Sequence, residues 1–293
     1  MKYRYFFLFL SFSLIACQPS EEKLPTQLLF GHRGAGPDVY QNEFLENTLP
    51  AVKHALQFLD GCEIDIQLAA DSTIWLYHDD KLGHFCNTAD SNSFCIPKSS
   101  VSELEAIKQC REGVSDQLYR LETIFKELAK NEFSNKWLSL DVKGYFDERC
   151  FPDRNAPSSY FDPLAQQLVK LIRQYDLADR VIVETGYSYF LDQIKTHHPS
   201  VGCHLINYDD FPSALNRAIE KGYDGVSSSI MDSTLTKQLI EEAQAKQLAV
   251  QLWPIKNEEL LKKAIKLNPF SMQISGLDLT SSSIRDIKRE RGD

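Results

Sequence analysis

The segment Cys62-Glu63-Ile64-Asp65-Ile66-Gln67-Leu68 alternates acidic or polar residues with branched aliphatic ones. Side chains of a strand point to opposite faces in turn, so Glu63, Asp65 and Gln67 share one side and Ile64, Ile66 and Leu68 the other. Leu138-Ser139-Leu140-Asp141-Val142-Lys143 repeats the device, with Asp141 and Lys143 on one face and Leu140 and Val142 on the other. Strands of this kind belong in a sheet whose aliphatic face is covered by helices and whose opposite face opens on a polar space.

Outward from these two strands the same grammar runs along the chain. Short apolar runs alternate with longer stretches of helical periodicity, the pattern of a parallel sheet with covering helices. Eight runs qualify as strands, near 27–32, 61–67, 137–143, 180–185, 201–206, 223–228, 248–253 and 271–275. Helices are expected over 48–59, 120–130, 163–175, 188–196, 211–221, 233–247 and 257–267. Eight strands in roughly 250 residues predict a single (β/α)8 TIM barrel, with the carboxylates of the two quoted strands facing its mouth. One run breaks the alternation. Thr73 to His78 follows the second strand too closely for a crossover, so it must return antiparallel to it. The stretch from Asp79 to Ser99 that follows has little periodicity and reads as a loop insertion over the barrel.

The ends and the composition bound what such a barrel can do. The 293 residues are 43% hydrophobic and 25% charged, with a net charge of −9. An acidic balance of this size argues against nucleic acid as a partner. Met1-Lys2-Tyr3-Arg4 is a cationic head, Tyr5 to Ile15 an apolar run, and Leu14-Ile15-Ala16-Cys17 a small residue before a cysteine. That is a secretory signal, and its ending resembles the bacterial lipobox, which implies a leader over 1–16 and lipidation of Cys17. Residues 17–26 read as a lipidated tether and 27–293 as the TIM-barrel domain. Removal of the leader, with Lys2 and Arg4, leaves 277 residues at a net charge of −11. The protein is thus expected in the cell envelope, on the membrane through its N-terminal anchor, with Gln18 after the cysteine favouring the outer membrane. Export permits disulfides: Cys86, Cys95 and Cys110 share the irregular stretch, whereas Cys62 and Cys203 sit in strands and read as buried thiols.

Two inward carboxylates on one strand repel unless a cation lies between them or one is protonated. Glu63, Asp65 and Asp141 beside Lys143 therefore suggest a metal site next to an anion site, and internal salt bridges such as Lys143 with Asp65 are the alternative. Oxygen-only ligation suits Ca²⁺ or Mg²⁺ better than zinc. His32, in Phe30-Gly31-His32-Arg33-Gly34, and His78, in Tyr77-His78-Asp79, fall at element ends, where a pair of imidazoles can supply a base and an acid. Of the other histidines, His54, His84, His197 and His198 read as structural or surface residues, and alternation could place His204 inside the barrel. Glu46-Asn47-Thr48 opens the first helix with Asn47 or Thr48 as its cap, which leaves Glu46 near the cluster.

Taken in order, Gly31-His32-Arg33-Gly34, Glu46-Asn47-Thr48, Glu63-Ile64-Asp65, His78-Asp79 and Asp141-Val142-Lys143 resemble the glycerophosphodiester phosphodiesterase family. The resemblance extends more weakly to Gly225, to the helix from Leu235 to Gln247 and to Val250-Gln251-Leu252-Trp253. It implies Glu63, Asp65 and Asp141 as metal ligands and His32 and His78 as the acid–base pair. It further implies a substrate held by Arg33, Lys143, Glu46 and Trp253. The implied reaction is hydrolysis of a small glycerophosphodiester to glycerol 3-phosphate and an alcohol.

Three positions depart from the family. Asp141 stands where a Glu is usual, one methylene and roughly 1.5 Å shorter. The loop from Ala35 to Leu45 is longer than usual, and Ser275-Gly276-Leu277-Asp278 replaces a Thr-Asp pair near the last strand. A lysophospholipase D or phospholipase C type of lipid phosphodiesterase is the alternative enzyme, which an apolar rim over 35–45 and 79–99 would favour. A non-catalytic lipoprotein binding a phosphorylated metabolite is the alternative outside enzymes.

Overall fold

The computed structural model describes residues 27–37, 43–80, 95–144, 150 and 157–291. The leader, the tether with Cys17, and the 38–42 and 81–94 parts of the two loops whose rim would mark a lipid substrate lie outside the described residues. The first half of the chain contains β1 (Leu28–Gly31), α1 (Leu49–Phe58), β2 (Gly61–Leu68), β3 (Ile74–Leu76), α2 (Val101–Glu105), β4 (Lys108–Arg111), β5 (Val114–Gln117), α3 (Leu121–Leu128) and β6 (Trp137–Val142). The second half follows strict alternation through α4 (Ser158–Tyr175), β7 (Val181–Thr185), α5 (Ser188–His197), β8 (Gly202–Asn207) and α6 (Phe211–Lys221). It ends with β9 (Gly225–Ser229), α7 (Lys237–Ala245), β10 (Ala249–Ile255), α8 (Glu258–Leu267), β11 (Ser271–Ile274) and α9 (Ser282–Arg291).

Eight of these strands close a parallel barrel in the order β1-β2-β6-β7-β8-β9-β10-β11, as the alternation predicts, with β11 pairing back onto β1. β1 is only four residues long and covers β2 no further than Cys62. The upper edge of β2 is therefore open, and β3 pairs there antiparallel, with Ile66 opposite Leu76. The aliphatic faces pack outward as expected. Ile64, Ile66, Leu140 and Val142 join Val52, Leu56, Phe125 and Leu168 of the covering helices in one continuous core.

Three features went beyond the expected set, the short helix α2, the β4–β5 hairpin and the last helix, α9, and one helix begins early. Each is short or carries few apolar residues; α9 buries only Ile284 and Ile287. α4 begins at Ser158 instead of 163, with Pro163 inside it. Tyr160 and Phe161 explain the extension, because both are buried and the Tyr160 hydroxyl ties Leu68 N (3.0 Å) to the Lys143 carbonyl (3.2 Å). Tertiary burial overrides the usual preference of proline for a first turn.

The barrel interior is layered. At the floor, Phe30, Ile182, Ala249 and Phe270 pack together, and His204, 2% exposed, lies edge-on to Phe270. The middle layer is polar and satisfied. Gln251 Nε2 donates to Glu184 Oε2 (2.7 Å), Gln273 Nε2 to Glu184 Oε1 (2.8 Å), and Ser271 Oγ to Gln251 Oε1 (2.8 Å). The uppermost layer holds the charged residues of β2 and β6. A disulfide joins Cys95 to Cys150, and Cys110 is disulfide-bonded as well. Cys62 and Cys203 are free and buried, and His54 sits between the rings of Phe44 and Phe58.

Candidate active site

β1 stops at Gly31 because the chain turns sharply there: a Cβ at Gly31 would lie 1.8 Å from the Gly34 carbonyl oxygen. Arg33 takes the left-handed conformation at φ 55°. The turn directs its backbone N–H to Glu63 Oε2 (2.8 Å) and its guanidinium towards Glu46 (3.1 Å) and Asp65 (3.6 Å). Glu46 therefore faces Arg33 and not the carboxylate cluster. Of the two cap candidates, Thr48 caps α1 by accepting from Ala51 N. Asn47, left-handed at φ 57°, does something else: its amide donates to Asp65 Oδ2 (2.7 Å) while its carbonyl oxygen accepts from Asp65 N (2.9 Å).

On β2 and β6, Asp65 and Asp141 are register partners. Lys143 Nζ lies 2.8 Å from Asp65 Oδ1 and is also hydrogen-bonded to Asp141 Oδ2. Glu63, Asp65 and Asp141 each offer an oxygen, and all three oxygens lie within 4.8 Å of one another. Their electrostatics differ. Burial raises Asp65, but Lys143 and Arg33 outweigh it and hold its carboxyl below the ordinary range. Burial, then Asp65, Glu184 and Asp141, push Glu63 well above it, and burial also raises Asp141. Burial likewise pushes Glu184, the in-register neighbour of Asp141, up to about 7.

Two histidines complete the mouth. His32 Nδ1 is 2.7 Å from Ser275 Oγ, and its Nε2 is 3.7 Å from Glu63 Oε2. His78 Nδ1 is 2.6 Å from Asp79 Oδ1. Burial, then Arg33, lowers His32 well below its ordinary value. His32, Arg33, His78, Asp141 and Lys143 line one side of a cleft of about 240 Å³, with Glu63 and Asp65 buried beside it. Tyr208 and Trp253 line the other side with their rings edge to face, centroids 5.3 Å apart. His32, Arg33, Glu46, Glu63, Asp65, His78, Asp141, Lys143 and Trp253 thus gather at one end of the barrel, whereas His204 lies at the other.

The donor set fits a hard divalent cation. Glu63 Oε1 is buried and has no hydrogen-bond partner among the described residues, an arrangement that costs free energy unless a cation or proton meets it. Among the described residues the three carboxylates lie beside two cationic side chains, Arg33 and Lys143, and all the donors are oxygens. Sequence reasoning missed Glu184 and did not give Ser275 or Asn47 its role. A carboxylate inside Val181-Ile182-Val183-Glu184-Thr185 was a readable signal; Ser275 and Asn47 stood in stretches already singled out, but no local pattern showed what they touch.

The fold and the site together define a class: a closed (β/α)8 barrel whose mouth combines paired imidazoles, paired cations and a carboxylate triad, a layout suited to phosphate-ester chemistry. Comparisons narrow it. Residues 32–270 match the signature of the Glycerophosphoryl diester phosphodiesterase family. A glycerophosphodiester phosphodiesterase of Caldanaerobacter subterraneus subsp. tengcongensis is 21% identical over 243 residues, 82% of this chain and 90% of the relative. One from Bacillus altitudinis is 23% identical over 253 residues, 82% and 90%. Among solved structures, an Oleispira antarctica phosphodiesterase in complex with the product sn-glycerol-3-phosphate superposes with a TM-score of 0.67 at 18% identity, covering 89% of this chain and 97% of that one. A glycerophosphodiester phosphodiesterase from Parabacteroides distasonis gives 0.69 at 18%, covering 91% and 98%. This chain belongs to the glycerophosphoryl diester phosphodiesterase family.

Proposed function

We propose that the protein hydrolyses small glycerophosphodiesters to glycerol 3-phosphate and an alcohol, using a divalent cation and the His32–His78 pair. The observation that carries this reading is the convergence of both histidines, Arg33 and Lys143 on the cleft beside the Glu63, Asp65 and Asp141 oxygens. Glu63, Asp65 and Asp141 would hold Ca²⁺ or Mg²⁺, which supplies polarisation of a phosphoryl oxygen and charge neutralisation when bound.

The chain's own residues account for the rest. Arg33 and Lys143 orient the phosphodiester, Glu46 orients Arg33, and Trp253 forms the facing wall against an organic substituent. Burial keeps His32 neutral near pH 7, with Nδ1 engaged by Ser275 and Nε2 turned to the mouth. It accepts the proton of the attacking oxygen as that oxygen bonds to phosphorus. His78, oriented by Asp79, donates a proton to the alcohol oxygen as its bond to phosphorus breaks. The attacking oxygen is that of water, or that of the substrate's own 2-hydroxyl; in the second case a cyclic glycerophosphate forms as the alcohol leaves, and water then opens it to glycerol 3-phosphate with the two histidines exchanging roles.

Turnover of glycerophosphocholine and glycerophosphoethanolamine tests the reading. His32→Ala and His78→Ala should each lower kcat by about 10²- to 10⁴-fold without shifting the melting temperature. Near-wild-type turnover in either variant removes that histidine from the mechanism. Exhaustive chelation should abolish activity and added Ca²⁺ or Mg²⁺ restore it; activity that survives chelation removes the metal.

The same reading places the protein on a membrane through a lipid on Cys17. Disulfides at Cys95–Cys150 and Cys110 support export to an oxidising compartment. Among the described residues no helix is long and apolar enough to cross a membrane. Cys17→Ser should release the protein from the membrane fraction and abolish incorporation of labelled fatty acid; retention of both would refute the anchor.

A further inference from the structure

Barrel closure brings the residue after β11 against the residue after β1. Ser275 Oγ and His32 Nδ1, 243 positions apart in sequence, are 2.7 Å from each other. Both are held by the backbone: His32 N donates to the Ile274 carbonyl (2.9 Å), Ser275 N to the Ile255 carbonyl (2.8 Å), and Gly36 N to the His32 carbonyl (2.8 Å). Gly36, at φ 95°, lies so near that a Cβ there would be 2.4 Å from the Ser275 carbonyl oxygen. Ser275 is 3% exposed and lines the cleft beside His32.

We propose that Ser275 is a positioning residue for the reaction, its hydroxyl holding the His32 ring so that Nε2 and not Nδ1 faces the phosphorus beside Glu63. The inference rests on the acid–base role of His32 given above. The two histidines are held by different chemistry, and the difference follows from their surroundings. His78 sits against the half-exposed carboxylate of Asp79. His32 Nε2 lies 3.7 Å from Glu63 Oε2, and the charges of Arg33, Asp65, Lys143 and His78 all bear on its ring. A carboxylate on its Nδ1 would add another buried negative charge to a mouth already crowded with Glu63, Asp65 and Asp141. A hydroxyl adds none. It can also accept from Nδ1–H or donate to a bare Nδ1, so the ring stays in place whichever nitrogen carries the proton.

The test separates the hydroxyl from the shape of the side chain. Ser275→Thr keeps a hydroxyl, and Ser275→Val has the outline of threonine without one. The valine variant should lose about 10- to 100-fold in kcat with KM nearly unchanged, and the threonine variant should recover most of it. In a His32→Ala background, Ser275→Val should change kcat by less than about twofold, because a residue acting only through His32 has nothing left to position. Equal activity of the threonine and valine variants overturns the proposal, as does a loss of the same size with and without His32. Melting temperatures show whether each variant is folded, and Ser275→Ala gives a smaller replacement if both branched residues fail. If His32→Ala alone keeps full activity, the acid–base reading fails first, and does so independently of Ser275.

Discussion

At the floor of the barrel, Phe30, Ile182, Ala249 and Phe270 pack beside a histidine that burial keeps neutral. At the mouth, only a strand's length away, Glu63, Asp65 and Asp141 crowd together around Lys143. Both ends are buried, but each treats charge in its own way. The floor removes it by leaving His204 unprotonated. The mouth keeps Asp65 charged by pairing it with Lys143 and Arg33, while Glu63, whose Oε1 has no hydrogen-bond partner among the described residues, is pushed towards its neutral form. Charge kept in a buried place without full compensation reduces stability, and it persists where the fold must bind something charged.

Three measurements would break or sharpen that contrast. The largest effect is expected at Asp65, the anion on which Lys143, Arg33 and Asn47 converge. Asp65→Asn leaves two buried cations short of their counter-charge and should lower the unfolding free energy by about 3–5 kcal/mol in urea titrations. A loss below about 1 kcal/mol would mean the mouth is wetter than its burial indicates.

His204 comes next. Burial pushes it from its ordinary 6.5 down to about 4, so below pH 6.5 the unfolded chain binds a proton that the folded one refuses. The stabilisation is therefore complete above pH 6.5 and declines as pH falls towards 4, by on the order of 3 kcal/mol. His204→Leu should flatten that acid limb. An unchanged limb would assign the acid sensitivity to the mouth.

The smallest effect has the opposite sign. Glu63 titrates above its ordinary 4.5, so its ionisation opposes folding, and stability falls as pH rises past 4.5. In chelator at pH 7, Glu63→Gln should raise the unfolding free energy by about 1–2 kcal/mol while abolishing turnover, a gain that vanishes below pH 4.5. Added Ca²⁺ or Mg²⁺ should stabilise the wild type and not the variant. A Glu63→Gln protein less stable than wild type in chelator would show that the carboxylate is already compensated.

Much of this was readable beforehand, and what was not has a common cause. The faces of Glu63, Asp65, Asp141 and Lys143 follow from a period of two, and the antiparallel β3 from a connection too short to cross over. Both the metal site and the Lys143–Asp65 bridge were readable as options, and the bridge is present beside three carboxylate oxygens within 4.8 Å of one another. Asn47 read as a cap, because nothing local shows that it takes a left-handed conformation and braces Asp65. Glu184 belongs to a network with Gln251 and Gln273 that forms only once β7, β10 and β11 share one interior. The early start of α4 required knowing what Tyr160 and Phe161 would bury.

The amino-acid sequence by itself determined the order of strands and helices, the faces that carry charge, and the family, because these depend on neighbours a few residues apart. Only the tertiary structure decided which charged residue meets which. β1 and β11 stand at opposite ends of the chain, and closing the barrel sets His32 on Ser275. The turn at Gly31 sets Arg33 between Glu46 and Asp65. Such pairings depend on loop reach and strand register across the whole barrel, which no local pattern encodes.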